Sequence, residues 1–376
     1  MLDIKFIREH PEAVANDLKK RNRTDKQEML DELLKLDAEW RKLKPELDGL
    51  RHKRNSLGEE INSLKKQGKD ATEQLKAAKE LPGRIKADEE REKQLGERMH
   101  YILMRLPNVL HESVPEGKDD TENKVIKTWG MIQKKDFELK THSELAESLG
   151  GADFVRATKV AGTGFFFLKG YLALLDQAIL RFAIDHLMMK GFTLIEPPLM
   201  MNREAYEGVT DLADFENVMY KIDGEEMYLI ATSEHPMGAM YMNEVFEPSQ
   251  LPLKMCGISA CFRREIGSHG VDTRGLFRVH QFNKIEQFVF CKPEDSWKIH
   301  EEILKNTEEI FQALEIPYRV VAVCTGDIGT VAAKKYDIEA WYPRQNKYGE
   351  VASCSNCTSY QAVRLNIKYK AQEGNE

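Results

Sequence analysis

From Leu33 to Leu64, apolar positions recur at alternating spacings of three and four: Leu33, Leu36, Trp40, Leu43, Leu47, Leu50, Leu57, Ile61 and Leu64, with Arg54 on the same line. This is the heptad seam of a coiled coil. A polar turn with one glycine follows, KKQGKDA from Lys65 to Ala71, and then a weaker returning stripe through Leu75, Ala78, Leu81, Ile85, Leu95, Met99, Ile102 and Leu106. Asp88 and Glu92 fall on that second seam. So short a turn between two periodic runs predicts an antiparallel helical hairpin, about residues 28–105. At 1.5 Å rise, about thirty residues per helix make an arm on the order of 45 Å. Pro45 and Pro82 each remove one helical hydrogen bond, which predicts a kink at both places. Ahead of the arm, residues 1–27 read as a short helical entry with Pro11 in a first helical turn.

The period changes after Leu106. The segment LPNVLHESVPEG (Leu106–Gly117) is a proline-marked linker, and beyond it runs of a few apolar residues alternate with turns and two long helical stretches. Residues 171–190 predict an amphipathic to buried helix closed by Gly191, followed by the strand GFTLIEPPLM. Residues 293–314 predict a second helix. Such a mixture makes an α+β body, residues 107–376, behind an N-terminal unit of residues 1–106.

The densest chemistry lies in CFRREIGSHGVDTRGLFRVHQFNKIEQFVF, Cys261–Phe290, two extended runs around a loop (Ile266–Leu276) that holds three glycines. In an extended chain Arg263 and Glu265 share a face, with Arg264 opposite, and Arg278, Phe282 and Glu286 share another. A guanidinium suits phosphate, an aromatic ring a nucleobase, and a carboxylate an ammonium or hydroxyl. An amino acid plus ATP requires that set of groups. A flat strand at about 3.4 Å per residue would put Arg278 roughly 27 Å from Glu286, so twist and inward-leaning side chains are required. On alternation alone, an exposed hairpin with solvated charges fits equally. Likewise Thr232 and Glu234 in YLIATSE (Tyr228–Glu234) either share a strand face or cap a helix starting at His235.

Composition bounds these ideas. The 376 residues carry a net charge of −7, so a general nucleic-acid coat is unexpected and RNA contact must use local basic patches, such as RHKRN (Arg51–Asn55) and KKQGK (Lys65–Lys69) on the arm. No signal-like or membrane-length apolar stretch is present, which predicts a cytoplasmic protein. Six cysteines, with one C-x-x-C at Cys354 and Cys357, do not make a zinc set or a disulfide framework.

The order F-R-x-E, glycine-bearing loop, R-V-H-Q-F-x-K-x-E-Q resembles motif 2 of class II aminoacyl-tRNA synthetases in its seryl-tRNA synthetase version. The arm, the linker at Leu106–Gly117 and LGGADFVRATKVAGTGFFFLKG (Leu149–Gly170) are similar to the same family. The resemblance implies a class II antiparallel sheet flanked by helices. It also implies ATP and Mg²⁺ as cofactors, L-serine as substrate, tRNA(Ser) held through the arm with tRNA(Sec) a further acceptor to be tested, and a homodimer formed through motif 1 with Pro198 in its proline position. By the same resemblance Arg263 holds the α-phosphate, Glu265 the adenine edge, Arg278 the γ-phosphate and Phe282 the adenine face, with Arg264 and the Val279 backbone alongside. Thr232, Ser233, Glu234 and Glu286 bind serine. Glu350, Val351, Ala352 and Ser353 (E-V-x-S) lie at the nucleotide, with Glu350 on the metal. Strict alternation puts Glu350 and Ser353 on opposite faces, so a bulge is needed between them.

The family pattern continues into a motif 3 arginine, and no G-x-G-x-x-R occurs in these 376 residues. Truncation of an ordinary enzyme, a separately supplied C-terminal piece and a catalytically inactive tRNA-binding paralogue all fit that observation. Truncation is the expectation, because motif 2 is intact. An amino acid:carrier-protein ligase on the same body is disfavoured by the long arm.

Overall fold

The structure is a computed structural model that describes residues 1–212, 216–265 and 275–370. It divides into two compact units, Leu2–Pro107 and Asn108–Glu376 with Met1.

In the first unit a short helix, Ile4–Glu9, is capped by Asp3, which accepts from Lys5 N at 2.7 Å, and Pro11 opens the next helix, Pro11–Lys20. The arm follows as helices Gln27–Lys66 and Thr72–Leu103, 40 and 32 residues long, or about 60 and 48 Å. Leu33, Leu47 and Ile61 from the first helix and Leu81, Ile85, Leu95, Met99 and Ile102 from the second are buried. The expected seam is therefore real at these positions, and Leu47, Leu81 and Ile85 form one cluster backed by Leu50 and Leu57. Arg54, on the seam line, stays exposed. Neither Pro45 nor Pro82 ends its helix. Ion pairs clamp the two helices from outside: Arg51 with Glu89 at 2.9 Å, Arg91 with Glu39 at 2.6 Å and Arg98 with Glu32 at 2.7 Å. Their partners run in opposite directions along the two helices, as an antiparallel hairpin requires. The turn is a left-handed cap: Gly68 has φ +65°, and Lys69 N donates back to Leu64 O at 2.9 Å. One buried charge escaped the seam reading. Asp37 is 2% exposed because Arg8 and Arg41 both reach it, and the Arg8 hydrogen bond holds its carboxyl below the usual range.

Among its described residues the second unit holds two larger sheets and three two-stranded ones. Strands Lys124–Trp129, Tyr318–Ala322, Lys334–Tyr342 and Lys347–Asn356 form an antiparallel sheet in that order. Thr193–Ile195, Leu253–Phe262 and Gln281–Phe290 form the other, its first pair parallel and its second antiparallel. Helix Ser296–Ala313 ties the two together. The Gln287 amide donates to Ile303 O at 3.0 Å and Thr307 Oγ1 at 3.1 Å, while His300 Nε2 donates to Cys354 O at 3.0 Å. One rigid element thus fixes the strand bearing Glu286 relative to the strand bearing Ser353.

Three local expectations are corrected. The strands of the Cys261–Phe290 stretch are shorter than alternation suggested, ending at Phe262 and resuming at Gln281, so Arg263, Glu265 and Arg278 lie outside them. The loop residues 266–274 lie outside the described residues. Helix Gly170–Met189 does end before Gly191 (φ +84°), but it buries only Ala183, Ile184 and Leu187. Its broad apolar face is open, with Tyr171 90% and Leu174 63% exposed. Finally, Thr232 and Glu234 do not continue a strand: the strand is Met227–Leu229 and a short helix, Glu234–Ala239, starts at the second of them.

Candidate active site

Register places the site. Phe282 faces Cys261, Lys284 faces Ser259 and Glu286 faces Gly257 across the two long strands, so Phe282, Lys284 and Glu286 line one face. Beyond the strand end the pairing persists for one residue, Arg263 N donating to His280 O at 3.0 Å, and Arg264 N is pinned to Val218 O at 2.8 Å. This holds the Arg263 guanidinium 5.1 Å from the Phe282 ring centre, with Nε 3.4 Å from Ala231 O. The Arg264 side chain is exposed, whereas that of Arg263 is half-buried. Arg278 does not share the Phe282–Glu286 face by strand alternation, because it precedes the strand; it reaches back to Glu265 at 2.9 Å.

The other wall comes from the start of helix Glu234–Ala239. Gly257, directly opposite Glu286, makes its approach possible, since a Cβ there would lie 2.7 Å from both Met237 Cε and Ser233 Oγ. Brought this close, Thr232 Oγ1 donates to Glu286 Oε2 at 3.0 Å and accepts from Glu234 N at 3.2 Å and Lys284 Nζ at 3.0 Å. Its one donor and two acceptor positions are all used. Of the two alternatives for Thr232 the strand face fails and the helix start holds: its hydroxyl accepts from Glu234 N, the first residue of the helix, while it donates to Glu286. Glu234 accepts from Gln361 Nε2 at 3.0 Å, and Ser233 is fully buried. Lys284 also pairs with Glu286. Burial by itself would lower the ammonium's pKa, but the adjacent Glu286 carboxylate outweighs it and raises the value above the ordinary one. Beneath this wall Ala231 N donates to Tyr206 Oη at 3.2 Å, and Tyr206 in turn lies 3.0 Å from His235 Nδ1. Which of the two donates is set by the tautomer of the imidazole. Burial, reinforced by Lys284, pushes the His235 pKa down to about 3, and burial pushes the Tyr206 phenol up to about 12.

On the four-stranded sheet the register steps from Ile338↔Ala352 to Glu339↔Glu350, leaving Val351 as a bulge. The bulge turns Glu350 and Ser353 toward each other, with Ser353 Oγ donating to Glu350 Oε1 at 2.8 Å. Ala352 packs on the core of this sheet, and Val351 is exposed. The Val279 side chain is buried, and Pro198 is exposed beyond the strand Thr193–Ile195. Among the described residues no group of three or more His, Cys, Asp or Glu side chains is placed to hold a metal ion.

The candidate residues therefore fall into two groups on elements held by one helix. Residues missed from sequence were Lys284, Gly257, Gln361 and the Tyr206–His235 support. Lys284 had a signal, since it has the same parity as Phe282 and Glu286. The others come together only through tertiary contacts.

A body of helices and largely antiparallel sheet carrying this strand pair is that of a class II aminoacyl-tRNA synthetase: the model of the tRNA synthetase class II core domain (G, H, P, S and T) matches residues 218–376, and that of the seryl-tRNA synthetase N-terminal domain matches residues 1–110. A Serine--tRNA ligase from Methanocella arvoryzae is 61% identical over 370 residues, 98% of this chain and 87% of the relative. The crystal structure of seryl-tRNA synthetase from Pyrococcus horikoshii complexed with ATP superposes with a TM-score of 0.93 at 48% identity, covering 100% of this chain and 89% of that one. The cytoplasmic Serine-tRNA ligase from Naegleria fowleri in complex with AMP gives 0.86 at 32% identity, covering 98% and 88%. The chain belongs to the serine–tRNA ligase family of aminoacyl-tRNA synthetases.

Proposed function

We propose that this chain activates L-serine with ATP and transfers it to tRNA(Ser). The observation that carries the proposal is the contiguous face Phe282–Lys284–Glu286, with Arg263 at one end and Thr232 and Glu234 at the other. Adenine stacks on Phe282, its edge meets Glu265, and the Val279 backbone borders it. Arg263 binds the α-phosphate and Arg278 the γ-phosphate, leaving Glu265 to do so. Serine's hydroxyl and amine meet Glu286 and Glu234, in the wall formed by Thr232 and Ser233. The half-buried Glu286 carboxylate favours an amino acid with a hydroxyl, because a site built to hydrogen-bond a polar group rejects analogues lacking it. Serine carboxylate attacks the α-phosphate and pyrophosphate leaves; the terminal adenosine hydroxyl of the tRNA then attacks the seryl carbonyl and AMP leaves. Arg263 and Arg278 stabilise charge on the phosphates, and no side-chain nucleophile is required.

Glu350 and Ser353 present two hard oxygen donors side by side, a donor set that fits Mg²⁺ held partly by nucleotide phosphates. When bound, the cation would neutralise phosphate charge; Val351 and Ala352 border the nucleotide. The arm, with His52, Lys53, Arg54, Lys65, Lys66 and Lys69 exposed along its outer half and tip, contacts tRNA phosphates and reads shape. The open apolar face of helix Gly170–Met189, continued by Leu194 and Met200, supports a homodimer through this surface and Pro198. No helix among the described residues is long and apolar enough to cross a membrane, and cytoplasmic residence accords with that.

The test is serine-dependent ATP–pyrophosphate exchange. Arg263→Ala loses a transition-state charge donor and lowers exchange by at least about a hundredfold, whereas Arg264→Ala, on the exposed side, costs far less. Equal losses refute the assignment of faces.

A further inference from the structure

Lys284 is the one cation on the Phe282–Glu286 face that the proposed chemistry leaves without a ligand. We propose that Lys284 binds the carboxylate of the amino-acid substrate, and so selects a free α-carboxylate at this site. This rests on the reading of the site as a serine-activating centre.

Position argues first. Along the strand, Lys284 lies one same-face step from Phe282 and one from Glu286, about 7 Å in each direction. An amino acid anchored by its amine and hydroxyl at Glu234 and Glu286, and due to join a nucleotide stacked on Phe282, has its carboxylate between them. The Lys284 ammonium lies at the serine end of that interval, against Glu286 and Thr232. Valence argues second. An ammonium carries three protons, and among the described residues Lys284 donates to two acceptors, Thr232 Oγ1 and Glu286. The third proton remains for a ligand. Its aim is fixed, because Thr232 is itself saturated and tied to the start of the next helix.

Charge argues third. Glu234 and Glu286 attract an ammonium, and Arg263 lies toward the phosphate end over Phe282. Without Lys284, the substrate carboxylate would enter between two protein carboxylates. With it, each charge on a zwitterion meets an opposite one. A role confined to neutralising Glu286 would make Lys284 indifferent to whether the ligand carries a carboxylate, and this separates the two possibilities.

The experiment measures binding of L-serine and of L-serinamide, which keeps the amine and hydroxyl but has no carboxylate, to the full chain and to its Lys284→Gln and Lys284→Arg forms by calorimetry. Dissociation constants, unlike activities, do not depend on the fraction of folded protein. The expected result is at least a tenfold loss of serine affinity in K284Q, the loss of one charge-assisted hydrogen bond. Serinamide should change less than about threefold, and K284R should recover most of the serine affinity. Equal loss of both ligands in K284Q overturns the proposal and leaves Lys284 as a prop for Glu286, with the serine site intact. If the unaltered chain binds neither ligand, the serine-activating reading fails and this inference fails with it.

Discussion

Replacing Gly257 with alanine tests how the serine wall is assembled. Glycine inside a strand is ordinarily a weakness, and alanine there should stabilise by roughly 0.5–1 kcal/mol through the unfolded chain. Gly257 is not in the left-handed region, so the backbone accepts alanine and only space decides the sign. The added methyl would sit 2.7 Å from Met237 Cε, 2.9 Å from Met237 Sδ and 2.7 Å from Ser233 Oγ. Ordinary contact begins near 3.4 Å, so these atoms must retreat by about 0.5–0.7 Å. Met237 and Ser233 are both completely buried, which leaves the helix Glu234–Ala239 to move as a body. Overpacking of this kind costs about 1–3 kcal/mol and outweighs the glycine gain. The net expectation for Gly257→Ala is a loss of about 0–2.5 kcal/mol in urea unfolding of the body. Function should suffer more than stability. Moving that helix by half an ångström or more stretches the Thr232–Glu286 bond and withdraws Glu234, so the serine KM in pyrophosphate exchange should rise by about tenfold with the ATP KM little changed. An alanine variant more stable than the parent with an unaltered serine KM would falsify the argument that Gly257 sets this approach.

The remaining predictions concern charge and the arm. His235 stays neutral in the fold down to about pH 3, while the unfolded chain takes up a proton near pH 6.5. Its contribution to stability is therefore present above about pH 6.5 and lost as the pH falls toward 3, by about 1.4 kcal/mol per unit. Urea midpoints measured from pH 7.5 to 5 should fall less steeply for His235→Gln than for the parent, and parallel lines would count against the neutral histidine. Leu47 is completely buried between Leu81 and Ile85; Leu47→Ala should cost about 2–4 kcal/mol, seen as loss of helical circular dichroism at lower temperature. Deleting residues 31–104 should abolish discrimination for tRNA(Ser) in filter binding at fixed salt and leave nucleotide binding by the body in place. Unchanged tRNA affinity would remove the arm from recognition.

Some of this protein was decided by local sequence alone. A 3.5-residue period from Leu33 to Leu64, a glycine-bearing turn and a return stripe specify a helical hairpin, because only one seam can bury them together. Side-chain parity in Gln281–Phe290 likewise put Phe282 and Glu286 on one face, and Lys284 between them could have been read the same way. The incompatibility of Glu350 and Ser353 with strict alternation demanded a bulge, and Val351 supplies it. Strand ends were not legible: Arg278 and Arg263 read as strand from their neighbours, but the ladder ends at the Phe262–Gln281 pair, with one further bond from Arg263 N to His280 O, because hydrogen-bond partners, not propensity, end a ladder. Nor could sequence show that Gly257 sits under Ser233 and Met237, that Thr232 spends its whole hydroxyl on Glu286, Lys284 and Glu234, or that the apolar residues of Gly170–Met189 face outward. Periodicity reports which residues share a face; what that face meets is set by contacts between segments far apart in the chain, and those exist only once the sheets and helices have packed.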